Sequence, residues 1–357
     1  MRYFDQQLVT NSRPHAAWWG EVSAQRETFH MQEDSLATIA NRSGMIGNAA
    51  AVLPRDAWLE MDAITRRVMR GDDGEAYMAD LMPLARSVNI GKIAFINRVS
   101  SDAGAVSRSL SGQVPETLGK VDYDYRGTIV PIFNTGYGRN WREWNTFQSE
   151  NFDALADDQE AHTAKMRKDQ ADYVLNGDSA LKFEGYTGWG IKTHPLAKSI
   201  NLGSAVGGAN IDLTDPATAS DDIEAFVTQT LGAMLDANLI TEAVNLYVSP
   251  EIGRNWDRSY SGSAGVKEGT LWQHLEKNRR INKIKVTNQL SGNAFFGFVP
   301  RAEFIRPLIG MATNTTAMVR LNPVDNYNFL ILGALGLEIR ADWNGRAGVF
   351  YSVVVNA

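Results

Sequence analysis

The chain contains no cysteine. That absence excludes disulfides, thiolate-held metals and cysteine nucleophiles, and it fits a chain made and used in a reducing compartment. Histidine is scarce. The five histidines, at positions 15, 30, 162, 194 and 274, never fall within six residues of one another, so no zinc-ligand spacing exists. Long hydrophobic runs are missing: the longest, Phe329 to Leu337, is broken by Gly333 and Gly336 and is far shorter than a membrane span. The first residues, Met1-Arg2-Tyr3-Phe4-Asp5, lack a basic stretch leading into an apolar one, so no secretory signal is read. Basic excess is absent too, since 35 Lys and Arg stand against 41 Asp and Glu, a net charge of -6. A chain with that balance does not coat nucleic acid through a basic face. The expectation is a soluble protein that stays where it is made, with no membrane contact.

Material for a core is plentiful. Hydrophobic residues make up 44 % of the 357 and charged residues 21 %, enough for one large domain or two to three packed units. Motifs that carry chemistry are thin by comparison. Ser261-Gly262-Ser263-Ala264-Gly265 lacks the first glycine of a serine elbow and reads as a polar stretch with no strand before it. Gly91-Lys92 and Gly119-Lys120 are followed by Ile93 and Val121, where a phosphate loop needs Ser or Thr. The glycines of 185–190 and 203–208 miss dinucleotide spacing and read as turns where backbones pass closely. Asp72, Asp73 and Glu75, like Asp157, Asp158 and Glu160, sit in turns or early helix and read as solvated faces. The basic run Lys277, Arg279, Arg280, Lys283 and Lys285 carries no interleaved aromatic, as a nucleic-acid stacking surface requires. It reads as solvated, or as pairing with an acidic neighbour. His162 reads as an ordinary residue of an amphipathic helix. The sequence therefore predicts no catalytic residue, no cofactor-binding residue and no metal ligand.

Residues 1–50 show no sustained period. They read as a tail or as an arm along a neighbouring subunit, and Trp18, Trp19 and Phe29 favour the arm because tails rarely carry such aromatic surface. Helices are predicted from Pro54 onward, through Trp58, Met61, Ile64 and Val68, and over Glu75 to Leu84. Residues 88–96 and 120–133 read as the strands of a long hairpin whose tip, 100–119, is rich in Ser and Gly. Such a ribbon has no core of its own, and the simplest partner for it is another copy of the chain. A helix of about 33 residues is predicted over Glu143 to Leu175, closed by Asn176-Gly177 as a left-handed cap. Phe152, Leu155, Met166 and Tyr173 give it a thin apolar stripe, so one face should be open or shared. Residues 178–299 read as an α/β unit with helices Asp221 to Asn238 and Leu271 to Asn278 and strands at 245–250, 284–286 and 295–299. Strands at 329–332, 337–340 and 349–355 tie the last residues into a sheet.

This order of parts resembles the major capsid proteins of tailed bacteriophages, the Hong Kong ninety-seven fold shared with encapsulins. Ala171 to Gly177 looks like the end of that family's spine helix, and Phe183 to Ile191 like the glycine-rich exit after it. Asn245 to Glu251 resembles the strand-then-proline of its apical domain, and Phe298 to Gly310 the return into its peripheral domain. The resemblance implies an α+β fold in five parts. These are an N-terminal arm and short helices (1–85), an extended β-hairpin or E-loop (86–135), and the spine helix of a peripheral domain (136–177). An axial α/β domain (178–299) and return strands of both domains (300–357) complete it.

The same resemblance implies a homo-oligomer of pentamers and hexamers that closes into an icosahedral shell. The shell would surround packaged double-stranded DNA, bound without sequence specificity, in a virion capsid assembled in the host cytoplasm. Scaffolding, portal and decoration proteins are the further partners it implies, with no cofactor and no enzymatic activity. A mildly acidic wall suits such a shell, because it does not stick to phosphate. Some members cross-link neighbours through a hairpin lysine, but Lys92 and Lys120 lie off the tip and that chemistry is not carried over. Too few residues precede the hairpin for a cleaved scaffolding segment, so a separate scaffolding protein or none is expected. Two other readings stand beside this one: an encapsulin-type nanocompartment holding a cargo enzyme, and a soluble hydrolase or binding protein with an unrecognised site.

Overall fold

The computed structural model describes residues 13–42, 64, 76–102, 110, 120–143, 154–262 and 265–356. The chain opens with helix α1 (Arg13–Arg42) and the short helix α2 (Ala76–Leu81), then strand β1 (Arg86–Ser87). Strands β2 (Ala94–Ser100) and β3 (Tyr123–Ile129) pair antiparallel as a ribbon, after which the chain continues as β4 (Ile132–Arg139). Helix α3 (Ala154–Asn176) runs into a small hairpin, β5 (Gly177–Phe183) and β6 (Tyr186–Trp189), followed by β7 (Lys198–Asn201). Next come α4 (Ser220–Ala225), a π-helical segment (Phe226–Leu231) and α5 (Gly232–Ala237) in one unbroken rod. Then follow β8 (Val244–Val248), α6 (Pro250–Trp256), the hairpin β9 (Ser259–Gly262) and β10 (Gly265–Thr270), and α7 (Leu271–Glu276). Strands β11 (Ile281–Val286), β12 (Phe295–Phe298), β13 (Ile305–Ala317), β14 (Tyr327–Ile339) and β15 (Val349–Val353) close the chain.

Two sheets organise these elements. One has four strands in the order β1-β13-β14-β4; the other has five, β11-β8-β12-β15-β7. The rod from α4 to α5 covers the five-stranded sheet with Ile223, Phe226, Val227, Leu231 and Leu235, all buried. Ser249 caps α6 by accepting from Ile252 N at 3.2 Å, and Pro250 begins that helix where its missing N–H costs nothing. A capping box between Thr270 and Gln273 starts α7. Between the sheets lies a second apolar cluster, in which Tyr77, Leu81, Val174 and Leu175 meet Tyr247, Phe296, Ile305 and Leu337.

Several expectations change against this architecture. Residues 13–42, read as aperiodic, are one helix. Its buried Val22, Phe29 and Leu36 fall seven residues apart, and it packs along β13. On the side away from β14, β13 is paired over only two residues, and Arg26 Nη2 donates there to Thr315 O at 3.1 Å. The helix thus covers an otherwise open sheet edge. The first ribbon strand begins at Ala94, because residues 89–92 turn: Lys92 N donates to Asn89 O and Gly91 N to Asn89 Oδ1. The second ends at Ile129, since Pro131 offers no N–H to continue the ladder, and Ile132 onward pairs with β14 instead. The long helix is described from Ala154, about 35 Å at 1.5 Å per residue; residues 144–153 and the helix expected from Pro54 lie outside the described residues, Ile64 apart. Its closing residue Gly177 has φ 69°, as a left-handed cap requires, and a Cβ there would lie 2.4 Å from Gly190 N. Strands β13 and β9 and the hairpin partner β10 were not foreseen, and the two strands expected at 329–340 are the single β14.

Helix α3 does not leave its inner face apolar. Gln159, Thr163 and Gln170 are buried, and Gln159 accepts from Tyr137 OH at 2.5 Å while donating to Thr315 Oγ1 at 2.7 Å. Arg139 clamps Asp158 through two bonds of 2.6 and 2.7 Å. Of the two acidic groups in the sequence, this one carries an ion pair; Asp72, Asp73 and Glu75 lie outside the described residues.

Candidate functional site

The ribbon β2–β3 offers two faces, because side chains alternate along each strand. On one, Phe95 sits between the guanidinium groups of Arg86 and Arg306, 5.1 and 5.9 Å from its ring centre. Thr128 Oγ1 on the same face donates to Leu337 O at 2.8 Å, and Arg126 Nη1 donates to Ala341 O and Asp342 O. These contacts root the ribbon on the four-stranded sheet. The opposite face is held at Gly127, where the Tyr186 ring lies so close that a Cβ would meet it at 2.6 Å. Farther out this face is bare: Ile96 is 48 % exposed, Tyr123 55 % and Tyr125 63 %, and Arg98 stacks 4.6 Å from the Tyr123 ring centre. The ribbon closes with Ser101 N donating to Asp122 O at 2.8 Å.

At the ribbon's foot a groove of about 640 Å³ runs between β4, the end of α3 and β5. Ile93, Ile132 and Leu181 form an exposed apolar floor; Asp169, Asp172 and Asp178 stand along it, with Lys182 the one cation among its lining residues. A second bare apolar surface is the β13–β14 turn, where Met318, Val319, Leu321 and Val324 all point outward. That turn is rigid. Arg320, buried over the Tyr327 ring at 3.9 Å, donates to Asp325 O and Pro323 O, and Asp325 Oδ2 accepts from Leu321 N and Asn322 N.

The basic run of the sequence separates in three dimensions. Lys283 and Lys285, each about one-third exposed, are already paired: both bind Asp80 on α2, at 2.6 and 3.0 Å, and Tyr247 OH donates to the same carboxylate. Arg280 binds Asp236 and Ile240 O. Arg280, Lys283 and Lys285 thus stitch α2 and α5 to the five-stranded sheet, while Lys277 and Arg279 are exposed. Of the histidines, His162 shares a 2.9 Å hydrogen bond with Thr135 Oγ1 and packs beside Tyr137. His274 lies against Tyr260. Among the described residues no three His, Asp or Glu converge as metal ligands, and no helix is long and apolar enough to cross a membrane.

The pKa of His194 is displaced. Burial, and then the charge of Arg126, push it down to about 4. Its neutral ring accepts from Leu196 N at 3.1 Å. Because the folded value lies below the unfolded one near 6.5, stability is intact above pH 6.5 and falls as the pH drops toward 4. We expect a loss of about 2 kcal/mol between pH 7 and pH 4.5, read from urea midpoints, and a shallower slope in His194→Gln. An unchanged slope in that variant would remove the assignment.

Solved structures place this architecture. The virus-like particle from Pyrococcus furiosus aligns with TM-score 0.55 and 13 % identity over 84 % of this chain and 100 % of that one. The capsid of Myoviridae phage XM1 aligns with TM-score 0.57 and 11 % identity over 76 % and 90 %. The capsid of an empty GTA particle aligns with TM-score 0.53 and 12 % identity over 89 % and 99 %. Identities this low establish a shared fold and nothing finer. No sequence among curated proteins matches. The chain has the α+β Hong Kong ninety-seven fold, and it belongs to a family of unknown function, DUF6260, whose model matches residues 48–352.

Proposed function

We propose that this chain is the subunit of a self-assembling shell, the major capsid protein of a tailed bacteriophage. Copies join as pentamers and hexamers into an icosahedral particle around double-stranded DNA. The observation that carries the reading is the ribbon β2–β3. It is rooted at one end, bare along the face of Ile96, Tyr123 and Tyr125, and set on a fold shared with capsid proteins. Exposed aromatic surface of this kind marks an interaction site and not a solvated edge. The apolar β13–β14 turn is a second surface suited to burial between copies. The net charge of -6 fits a wall that holds DNA without binding it tightly.

An encapsulin-type compartment is the second reading, favoured by the alignment to the full length of the Pyrococcus furiosus particle chain. Expression of the full chain followed by electron microscopy tests the shell, and analysis of particle contents separates the two readings. Nuclease-protected DNA in particles from the native source supports the capsid; a co-purifying enzyme supports the compartment. A stable monomer under all assembly conditions would remove both.

A further inference from the structure

Asparagine followed by glycine occurs twice in the chain, at Asn176-Gly177 and Asn344-Gly345. A following residue without a side chain leaves its backbone nitrogen open to attack on the asparagine's own side-chain amide. The fold treats the two pairs differently. Asn176 ends α3, where its Nδ2 donates to Asp172 Oδ1 at 2.7 Å and its carbonyl accepts from Thr193 Oγ1 at 2.9 Å. Gly177 is wedged against the backbone of 188–190, and a Cβ there would lie 2.4 Å from Gly190 N and 2.5 Å from Gly188 O. This pair is held on every side.

Asn344 lies exposed in the turn between β14 and β15, and its side-chain amide bonds to no described residue. Gly345 has φ 75° and nothing within 4 Å of its Cβ position. One hydrogen bond restrains its nitrogen, from Gly345 N to Asp342 O at 3.1 Å. Such a bond in an exposed turn opens at low cost, since local opening begins in loops. We propose that Asn344 is a site of spontaneous deamidation and that Asn176 is protected from it. Base takes the proton of Gly345 N, and the nitrogen attacks Asn344 Cγ. The N–Cγ bond forms, the Cγ–Nδ2 bond breaks, and ammonia leaves with a proton returned from solvent. Water then opens the cyclic imide at either carbonyl, leaving aspartate or isoaspartate at 344 with nothing oxidised or reduced.

The same turn anchors the ribbon. Ala341 pairs with Ala347 across it, and Arg346 N donates to Asp342 Oδ1 at 2.7 Å. Arg126 Nη1 reaches in from β3 to Ala341 O and Asp342 O, at 3.3 and 3.2 Å. Opening the imide at the backbone carbonyl adds a carbon to the main chain between Asp342 and Arg346. Either product also sets a new carboxylate beside Asp342. The bonds that shape the turn then lose their register, and with them the two acceptors that hold Arg126. The isoaspartate form has a looser ribbon root, whether or not the chain assembles.

Peptide mapping of the full chain, fresh and after incubation in neutral buffer, tests the site, with isoaspartate identified by enzymatic methylation. Aspartate plus isoaspartate at 344 should exceed that at 176 by about tenfold or more, the rate equivalent of one hydrogen bond to a carboxylate. Asn344→Gln would have to close a larger ring and should remove the signal at 344; a thermal melt establishes that this exposed substitution leaves the chain folded. Hydrogen exchange along β3 should quicken in the aged natural chain and not in aged Asn344→Gln. An unmodified Asn344 after incubation, or equal conversion at the two asparagines, would overturn the site. Equal quickening in both aged chains, or none in a chain converted to isoaspartate at 344, removes its link to the ribbon.

Discussion

Deleting residues 103–117 should leave a folded subunit that no longer forms shells. The deletion begins beyond the last ribbon contacts, where Ser101 N donates to Asp122 O and Asp122 N to Ser101 Oγ at 2.9 Å. Those bonds, and the roots at Phe95, Thr128 and Arg126, remain. Of the deleted stretch only Leu110 is among the described residues, and its side chain is fully exposed, so no core contact of that residue is removed. The melting temperature should therefore shift by no more than about 1 °C, the equivalent of under 1 kcal/mol for a chain this long. Assembly should fail, because the sequence reads these residues as the tip of an arm that has no core of its own and needs a neighbour. Normal particles by electron microscopy would show that the arm is not the assembly element.

Asp80→Ala should have the largest effect on stability, about 3 kcal/mol at neutral pH. One carboxylate, 11 % exposed, is the partner of Lys283, Lys285 and the buried Tyr247 hydroxyl. Removing it leaves two like charges side by side and a buried donor without its acceptor. The lysines are each about one-third exposed, and water will screen part of that repulsion, which places the expected loss at the lower end of the range for broken buried pairs. Burial raises the Asp80 pKa, but the bonds from Lys283, Tyr247 and Lys285 outweigh it and hold the value below that of a free aspartate. A lowered carboxylate pKa contributes stability that is present above pH 4 and lost as the pH falls through the folded value. The gap between the natural chain and Asp80→Ala should therefore narrow below pH 4. Urea midpoints at pH 7 and pH 3 measure both effects, and a difference below about 0.5 kcal/mol at pH 7 would refute the clamp.

Legibility along the chain followed how closely each element obeyed the rule that identifies it. Ser220 to Ala237 was readable because Ile223, Phe226, Val227, Leu231 and Leu235 keep a helical period over a buried face. Helix α1 hid because its inward stripe, Trp19, Val22, Arg26, Phe29 and Leu36, carries an arginine in the middle. A helix that covers a sheet edge must satisfy exposed carbonyls, and Arg26 does so at Thr315. Strand β13 hid for a related reason: Thr313, Asn314, Thr315 and Thr316 read as a loop, yet all are buried, Thr315 opposite the polar residues of α3. Gly333 and Gly336 divided β14 into two apparent strands. They are instead places where Gln170 and the Ile129 carbonyl approach too closely for a side chain.

The candidate assembly surfaces split the same way. Alternation in Tyr123-Asp124-Tyr125-Arg126 announced a ribbon with one aromatic face, since alternation is a local property of extended backbone. The hairpin-foot groove could not be read, because its walls come from residues 90–93, 129–133, 169–173 and 177–183. Nor could the fate of Lys283 and Lys285, whose partner lies some two hundred positions away on α2.

By itself the sequence determined the ribbon, the rod of residues 220–237 and the left-handed cap at Gly177. Each of these depends on neighbours within a few turns or strands of the chain. Only the tertiary structure decided which polar residues are buried, which charges are already paired and which apolar surfaces stay bare. Those outcomes are set by residues distant in sequence, whose burial exchanges water for one another's hydrogen bonds.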